Sequence, residues 1–349
     1  MAEIKAGYVR QLDLKRGVVE MGHGSGGRAM AQLIAELFSA ALGNEYLAQG
    51  NDGALLPAVS GRLVMATDSH VVSPLFFPGG DIGALAVHGT INDVAMMGAR
   101  PLYLAASFIL EAGFPLSDLQ RIVDSMAHAS REAGVPVVTG DTKVVEPGKG
   151  DGVFITTTGV GVVEEGIHLS GDRARPGDAV LLSGTLGDHG MAIMSQRENL
   201  LFDAPLSSDT AALHTLVAAM LATGGEIRVL RDPTRGGLAA TLNEIASQSG
   251  VGIHLDESAI PLNPLVEAAC ELLGLDPLNV ANEGKLIAIC AASDAERLLA
   301  TMRAHPLGKR AALIGEVIEA RRAFVQMKTR LGGRRMVDWL SGEQLPRIC

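Results

Sequence analysis

The stretch Leu102-Tyr103-Leu104-Ala105-Ala106-Ser107-Phe108-Ile109-Leu110 reads as a β-strand, and the segments on either side of it decide the fold. Leu119, Ile122, Val123 and Met126 recur at helical spacing, which marks one apolar face of an amphipathic helix. Val135 to Thr139 is a second strand, running straight into Gly140-Asp141-Thr142-Lys143. Strand, helix and strand in that order belong to α/β architecture. Upstream, Leu63 to Thr67 alternates as a strand and ends on Thr67-Asp68-Ser69. Gly79-Gly80-Asp81 then caps a helix bearing Ile82, Leu85, Ala86, Val87, Val94 and Met97. Downstream, Val153 to Val163 is the strand that closes a first domain.

Composition agrees. The 349 residues exceed one typical core and suggest two domains. The chain is 47% hydrophobic, with 42 glycines and 3% aromatics, the profile of a glycine-turned α/β protein. Net charge is −10 and no basic block exceeds a pair, which argues against a nucleic-acid-binding face. Cys270, Cys290 and Cys349 form no CxxC pair, and the first two lie in apolar runs as small buried hydrophobes. Glu3, Lys5 and Arg10 leave no apolar core for a signal peptide, and no segment reaches membrane-spanning length. A cytoplasmic protein with no membrane association is expected.

The second half repeats the style of the first after a linker at His168 to Asp178. Ala179 to Ser183 is a strand, Gly187-Asp188-His189-Gly190 a turn, and Met191 to Arg197 a helix. Another helix is expected at about Thr210 to Leu221, and Arg231-Asp232-Pro233-Thr234-Arg235-Gly236-Gly237-Leu238 opens one more. Strands are expected at Ile253 to Leu255, Leu286 to Cys290, Ala312 to Val317 and Phe324 to Met327. The division is therefore 1–167, 178–340, and a mobile tail at 341–349.

Near the start, a short strand at Val18 to Met21 enters Gly22-His23-Gly24-Ser25-Gly26-Gly27-Arg28. GxGxxG fits, but no ribose-binding acid lies at the right distance beyond it. P-loop spacing fits too, yet Arg28 and Ala29 stand where lysine and a magnesium-binding hydroxyl belong. Two readings stay open: a phosphate-binding loop with free N–H groups, or a plain tight turn. Asp52, Asp68, Asp93 and Asp141 each lie at a strand end, a turn or a polar break in a helix. Converging carboxylates suit Mg2+ on a nucleotide; the alternative is four turn-capping aspartates. Lys143 could neutralise a transferring phosphoryl group or be an ordinary surface lysine. Glu283, in Asn282-Glu283-Gly284-Lys285, is a candidate base or a solvated turn residue. His23, His70, His88 and His189 lack metal-ligand spacing and read as structural or loop histidines.

The glycine stretch Gly22 to Gly27, Asn92-Asp93, Gly140-Asp141-Thr142-Lys143, the Arg231 to Gly237 stretch, Asn282-Glu283-Gly284-Lys285 and the final Pro346-Arg347-Ile348-Cys349 share an order. In that order they resemble the HypE family of hydrogenase maturation factors, over nearly the whole chain. The wider superfamily holds aminoimidazole ribonucleotide synthetase, selenophosphate synthetase and thiamine-monophosphate kinase. The resemblance implies an α/β (α+β, ferredoxin-like) fold of mixed sheets whose N-terminal sheet pairs across a homodimer, with ATP in the cleft. It implies that the carbamoyltransferase HypF loads a carboxamide on Cys349. ATP then drives its dehydration to a thiocyanate, and the cyano group passes to iron on a HypC–HypD scaffold.

By motif match, metal falls to Asp52, Asp68, Asp93, Asp141 and Asp232, and nucleotide to Gly22, Gly24, Ser25, Gly26, Gly27, Asp81, Asn92, Asp141, Thr142 and Lys143. Catalysis falls to Cys349, Glu283, Asp93 and Lys143. Two tail positions are expected, out for loading and in for dehydration. Rival readings are a small-molecule kinase or synthetase of the superfamily, and a nucleotide-binding scaffold; a selenophosphate synthetase would want a thiol where Ser25 stands.

Overall fold

A four-stranded sheet organises the first half of the computed structural model, which describes residues 11–200, 206–339, 345 and 347–349. The N-terminal reading of Glu3, Lys5 and Arg10, and that of Pro346, fall outside the described residues, as does most of 341–349. The strands are β1 (Arg62–His70), β2 (Arg100–Glu111), β3 (Val137–Val145) and β4 (Val153–Val163), in the order β1-β4-β2-β3. Only β2 and β3 pair in parallel. Two helices cover one face: α1 (Ile82–Met96) and α2 (Leu116–Ala133). Asp81 starts α1 by accepting the Gly83 and Ala84 N–H groups, at 2.8 and 3.1 Å. The helix is apolar or small nearly all round because it is buried nearly all round. Thr90 and Thr157 join it to β4 through hydroxyls 2.6 Å apart.

The other face of this sheet is open. Along β1 the exposed positions alternate, with Leu63, Met65, Thr67 and Ser69 outward and Asp68 and His70 toward α1. Leu63 and Met65 are 65% and 75% exposed.

The second half builds a seven-stranded mixed sheet from β5 (Ala179–Leu182), β6 (Ile227–Arg231), β7 (Gly252–Asp256), β8 (Ile287–Cys290), β9 (Ala312–Ile318), β10 (Phe324–Lys328) and β11 (Arg334–Met336). Their order is β11-β10-β7-β9-β5-β8-β6. Its helices are α3 (Asp188–Arg197), α4 (His214–Leu221), α5 (Gly237–Ser249), α6 (Pro264–Leu273) and α7 (Ala295–Ala304). Leu238, Leu242 and Ile245 of α5 pack on Val180, Leu182, Ile287 and Ile289. Leu216, Met220, Leu298 and Met302 of α4 and α7 pack on Leu181, Ala288 and Cys290 from the other side. Strands covered on both faces need no polar alternation, so Ala179–Leu182 and Ile287–Cys290 are apolar throughout and fully buried. Helix α1 is shared: Ala95 and Met96 join this second core, and Met191, Ala192 and Val266 join the first. Residues 168–178, where the linker was expected, contain no helix or strand.

Three local expectations are corrected. Val18 makes a single bridge to Pro115, and Met21–Gly24 is a 3-10 turn, because His23 Nδ1 accepts the Glu20 N–H and folds the chain back. Gly140 to Lys143 lies inside β3, not after it. A Cβ on Gly140 would sit 2.4 Å from the Ala106 carbonyl, so this glycine permits close strand approach instead of ending the strand. Asp188 to Gly190 is the first turn of α3, not a separate turn.

Candidate active site

The middle of α1 faces the second half, which is why polar residues interrupt an apolar helix there. Asn92 is buried and fully paired: Nδ2 donates to the carbonyls of Ala211 (3.0 Å) and Glu283 (3.2 Å), and Oδ1 accepts the Leu213 N–H at 2.8 Å. Asn282 ties two loops together, donating to the Pro233 and Val280 carbonyls at 2.9 and 3.0 Å and accepting the Gly187 N–H at 2.7 Å. The loop holding Asp232 is thereby pinned to the one holding Glu283. Asp209 fixes the latter from behind. Its Oδ1 accepts the Glu283 N–H at 3.0 Å and its Oδ2 pairs with Lys285 Nζ at 2.8 Å. Burial opposes the Asp209 charge, but Lys285 outweighs it and holds the carboxyl below its ordinary range. A Cβ on Gly284 would lie 1.7 Å from the Asp209 carbonyl, so only glycine lets this turn seat.

Asp68, Asp93, Asp232 and Glu283 feel one another's charge. Burial, then Asp232 and Asp68, push Asp93 up to about 7, against Arg231 and Arg235. Burial pushes Asp232 up to about 6, with Asp68 adding to it. Glu283, 4% exposed, is raised well above the carboxylate range by burial and then by Asp232, Asp209, Asp68 and Asp93. Its Oε1 is buried without a hydrogen-bond partner among the described residues. His70, also buried, is lowered by burial and lies 3.5 Å from Asp68. Burial first, and the neighbouring acids second, favour the protonated forms of Asp93, Asp232 and Glu283.

The end of the chain enters this nest. Cys349 O accepts the Val71 N–H at 3.0 Å and Arg347 O the Ser73 N–H at 3.1 Å. His189 Nε2 meets Ile348 O at 2.7 Å, and Arg197 donates to Arg347 O. Arg347 pairs with Asp151, while Leu345 and Ile348 are buried in the first core. The Cys349 thiol is raised by burial and by the Glu283 carboxyl beside it. Of the tail expected to be mobile, the described residues 345 and 347–349 are docked.

Not every candidate belongs here. Asp141 and Lys143 stand on the open face, 54% and 65% exposed and paired at 3.2 Å. Asp68 pairs with Thr157, Thr157 with Ala106 and Ala106 with Gly140, so β3 lies three strands away. That is roughly 14 Å at the usual strand spacing, and the two groups face opposite sides. The glycine stretch lies beside β3, with Gly24 against Val144 and Ser25 Oγ donating to the Gly22 carbonyl at 3.0 Å. Gly22, Ser25, Gly26 and Gly27 are exposed, and Thr142 is buried beneath Asp141. Asp52 is exposed in a bend, and the Asp81 carboxylate is spent on capping α1. Among the described residues no three His, Cys, Asp or Glu side chains converge as a metal-binding group. Sequence reasoning missed Asp209, Asp151 and Arg197, and gave His189 no role toward the tail. Asp209 sits in the polar run Ser207-Ser208-Asp209-Thr210, which carries no motif.

Comparison with known proteins agrees with this layout. Residues 50–163 match the N-terminal domain of AIR synthase related proteins, and residues 175–328 match the C-terminal domain. Carbamoyl dehydratase HypE of Cupriavidus necator is 73% identical over 347 residues, 99% of either chain. A crystal structure of hydrogenase maturation protein HypE in complex with ATP superposes with TM-score 0.92 at 53% identity, covering 95% of this chain and 99% of that one. A HypE–HypF complex matches at TM-score 0.78 and 51% identity, over 88% of this chain and 99% of that one. The chain therefore belongs to the HypE family of carbamoyl dehydratases, within the AIR synthase related superfamily.

Proposed function

We propose that the protein is an ATP-dependent carbamoyl dehydratase acting on its own Cys349 in hydrogenase maturation. The observation that carries this reading is the docked tail, which brings the half-buried Cys349 beside the buried Glu283 carboxyl and the acids around it. A small-molecule kinase has no use for its own tail there. In the overall change, a carboxamide on the thiol loses its oxygen to phosphate and two protons from nitrogen, leaving a thiocyanate, ADP and phosphate. An amide oxygen is a weak nucleophile, so in-line placement against the γ-phosphate supplies most of the acceleration. Glu283 is the base for the nitrogen protons, and its raised proton affinity suits a group that must collect them. Asp93 shares this role.

Asp68, Asp93 and Asp232 offer the hard oxygens Mg2+ prefers, and their mutual repulsion favours a cation. These three do not converge as a metal-binding group among the described residues, so phosphate oxygens would have to complete the shell of any bound ion. When bound, it would neutralise charge on the transferring phosphoryl group.

The nucleotide would lie between the glycine stretch and Lys143. Within one chain the sheet separates Lys143 from Glu283, so a joint role requires the homodimer, formed through the open faces. Loading by HypF requires the tail to leave its dock, and delivery of cyanide to iron on HypC–HypD requires the same. No helix among the described residues is long and apolar enough to cross a membrane. Cys349→Ser should abolish product and leave ATP binding intact, read by intact mass and nucleotide titration. Unchanged turnover of a diffusible acceptor by that variant would favour the small-molecule kinase.

A further inference from the structure

We propose that His189 is the positioning residue that seats the C-terminal thiol against Glu283, holding the tail by the Ile348 backbone with its tautomer fixed by Ser208. The inference rests on the reading of Cys349 as the substrate thiol. A carbonyl oxygen can only accept, so the 2.7 Å contact to Ile348 O places the hydrogen on Nε2. The ring is buried among Phe77 and the first core, which disfavours an imidazolium. Nδ1 is then bare and must itself accept. Ser208 Oγ, 2.8 Å away, is the donor. Its oxygen in turn accepts the Thr210 N–H at 3.1 Å, which leaves the hydroxyl hydrogen to point at the ring. Only one assignment of hydrogens satisfies the whole relay.

Asp209, between Ser208 and Thr210, holds the Glu283 N–H at 3.0 Å. One short segment therefore references both the tail and the base, and fixes where sulfur sits relative to the carboxyl. The neighbouring contacts, from Val71, Ser73 and Arg197, also go to main-chain oxygens. The dock reads the path of the backbone, and Ile348 supplies the apolar anchor.

The test uses the full chain with His189→Ala, His189→Gln and His189→Asn, and tracks iodoacetamide labelling of Cys349 by intact mass. Cys270 and Cys290 are buried and do not compete. Loss of one net hydrogen bond in the dock should speed Cys349 labelling about tenfold in His189→Ala. Single-turnover dehydration should also slow, because the thiol is misplaced relative to Glu283 even when docked, with ATP binding unchanged. Glutamine places an N–H near the Nε2 position and should restore both; asparagine is too short and should not. Equal labelling of wild type and His189→Ala would overturn the proposal, as would a glutamine variant as defective as the alanine one. Labelling reports docking of the unmodified tail. Failure of wild type to form any dehydrated adduct would therefore sink the dehydratase reading by itself.

Discussion

Asp93 is a carboxylate that the folded protein makes hard to ionise, and that has a consequence for stability. Its proton affinity is raised to about 7, so between its unfolded value near 4 and that point the folded state binds more protons than the unfolded one. The stabilisation is complete below the unfolded pKa and is lost as pH rises through the folded one. Asp93→Asn should therefore flatten the fall in stability between about pH 4 and 7, by on the order of 2 kcal/mol given the coupling to Asp232. Urea unfolding of wild type and variant across that range checks it; parallel curves would remove Asp93 from the nest. The acids were legible in the sequence because carboxylates at strand ends and in an apolar helix demand an explanation. Their grouping was not. Asp68 and Asp141 fall on opposite faces because strand register has period two, and register across β1-β4-β2-β3 is set by pairing no local pattern encodes.

The element that positions the site is α1, and its interruption by Asn92 is structural in origin. The amide closes three hydrogen bonds to Ala211, Leu213 and Glu283, joining the halves of the chain. Asn92→Ala leaves buried backbone groups unpaired, so a loss of about 2–4 kcal/mol is expected, along with slower dehydration from a displaced Glu283. Thermal melting with single-turnover assay reads both. A stable variant with normal turnover would deny the helix this role. Capped helices and alternating strands were legible at this level. Strand β6 and helices α6 and α7 were missed, since short apolar runs do not distinguish strand from helix. The glycine in Gly140-Asp141 read as a stop because sequence does not show how closely a neighbouring strand approaches.

Two cores sharing one central helix place the acid nest and the docked tail on one side of the first sheet and Lys143 on the other. The exposed Leu63 and Met65 make the open face suited to pairing with a second copy. If Lys143 acts across that pairing, mixing inactive Lys143→Ala and Glu283→Gln proteins should restore part of wild-type activity, because one site of each mixed dimer regains both residues. No recovery in verified mixed dimers would place Lys143 outside the reaction at the partner's site. The family was legible from motif order. An inward tail position was expected, but the partners that hold it there were not legible, because several of them bind main-chain oxygens that any sequence possesses. The most direct measurement is the intact mass of the C-terminal peptide after incubation with carbamoyl phosphate, HypF and Mg-ATP. The expected product is a carboxamide adduct on Cys349 that loses one water only when ATP is present. An adduct that persists unchanged with ATP, or a tail left unmodified by an active HypF, would contradict the dehydratase reading.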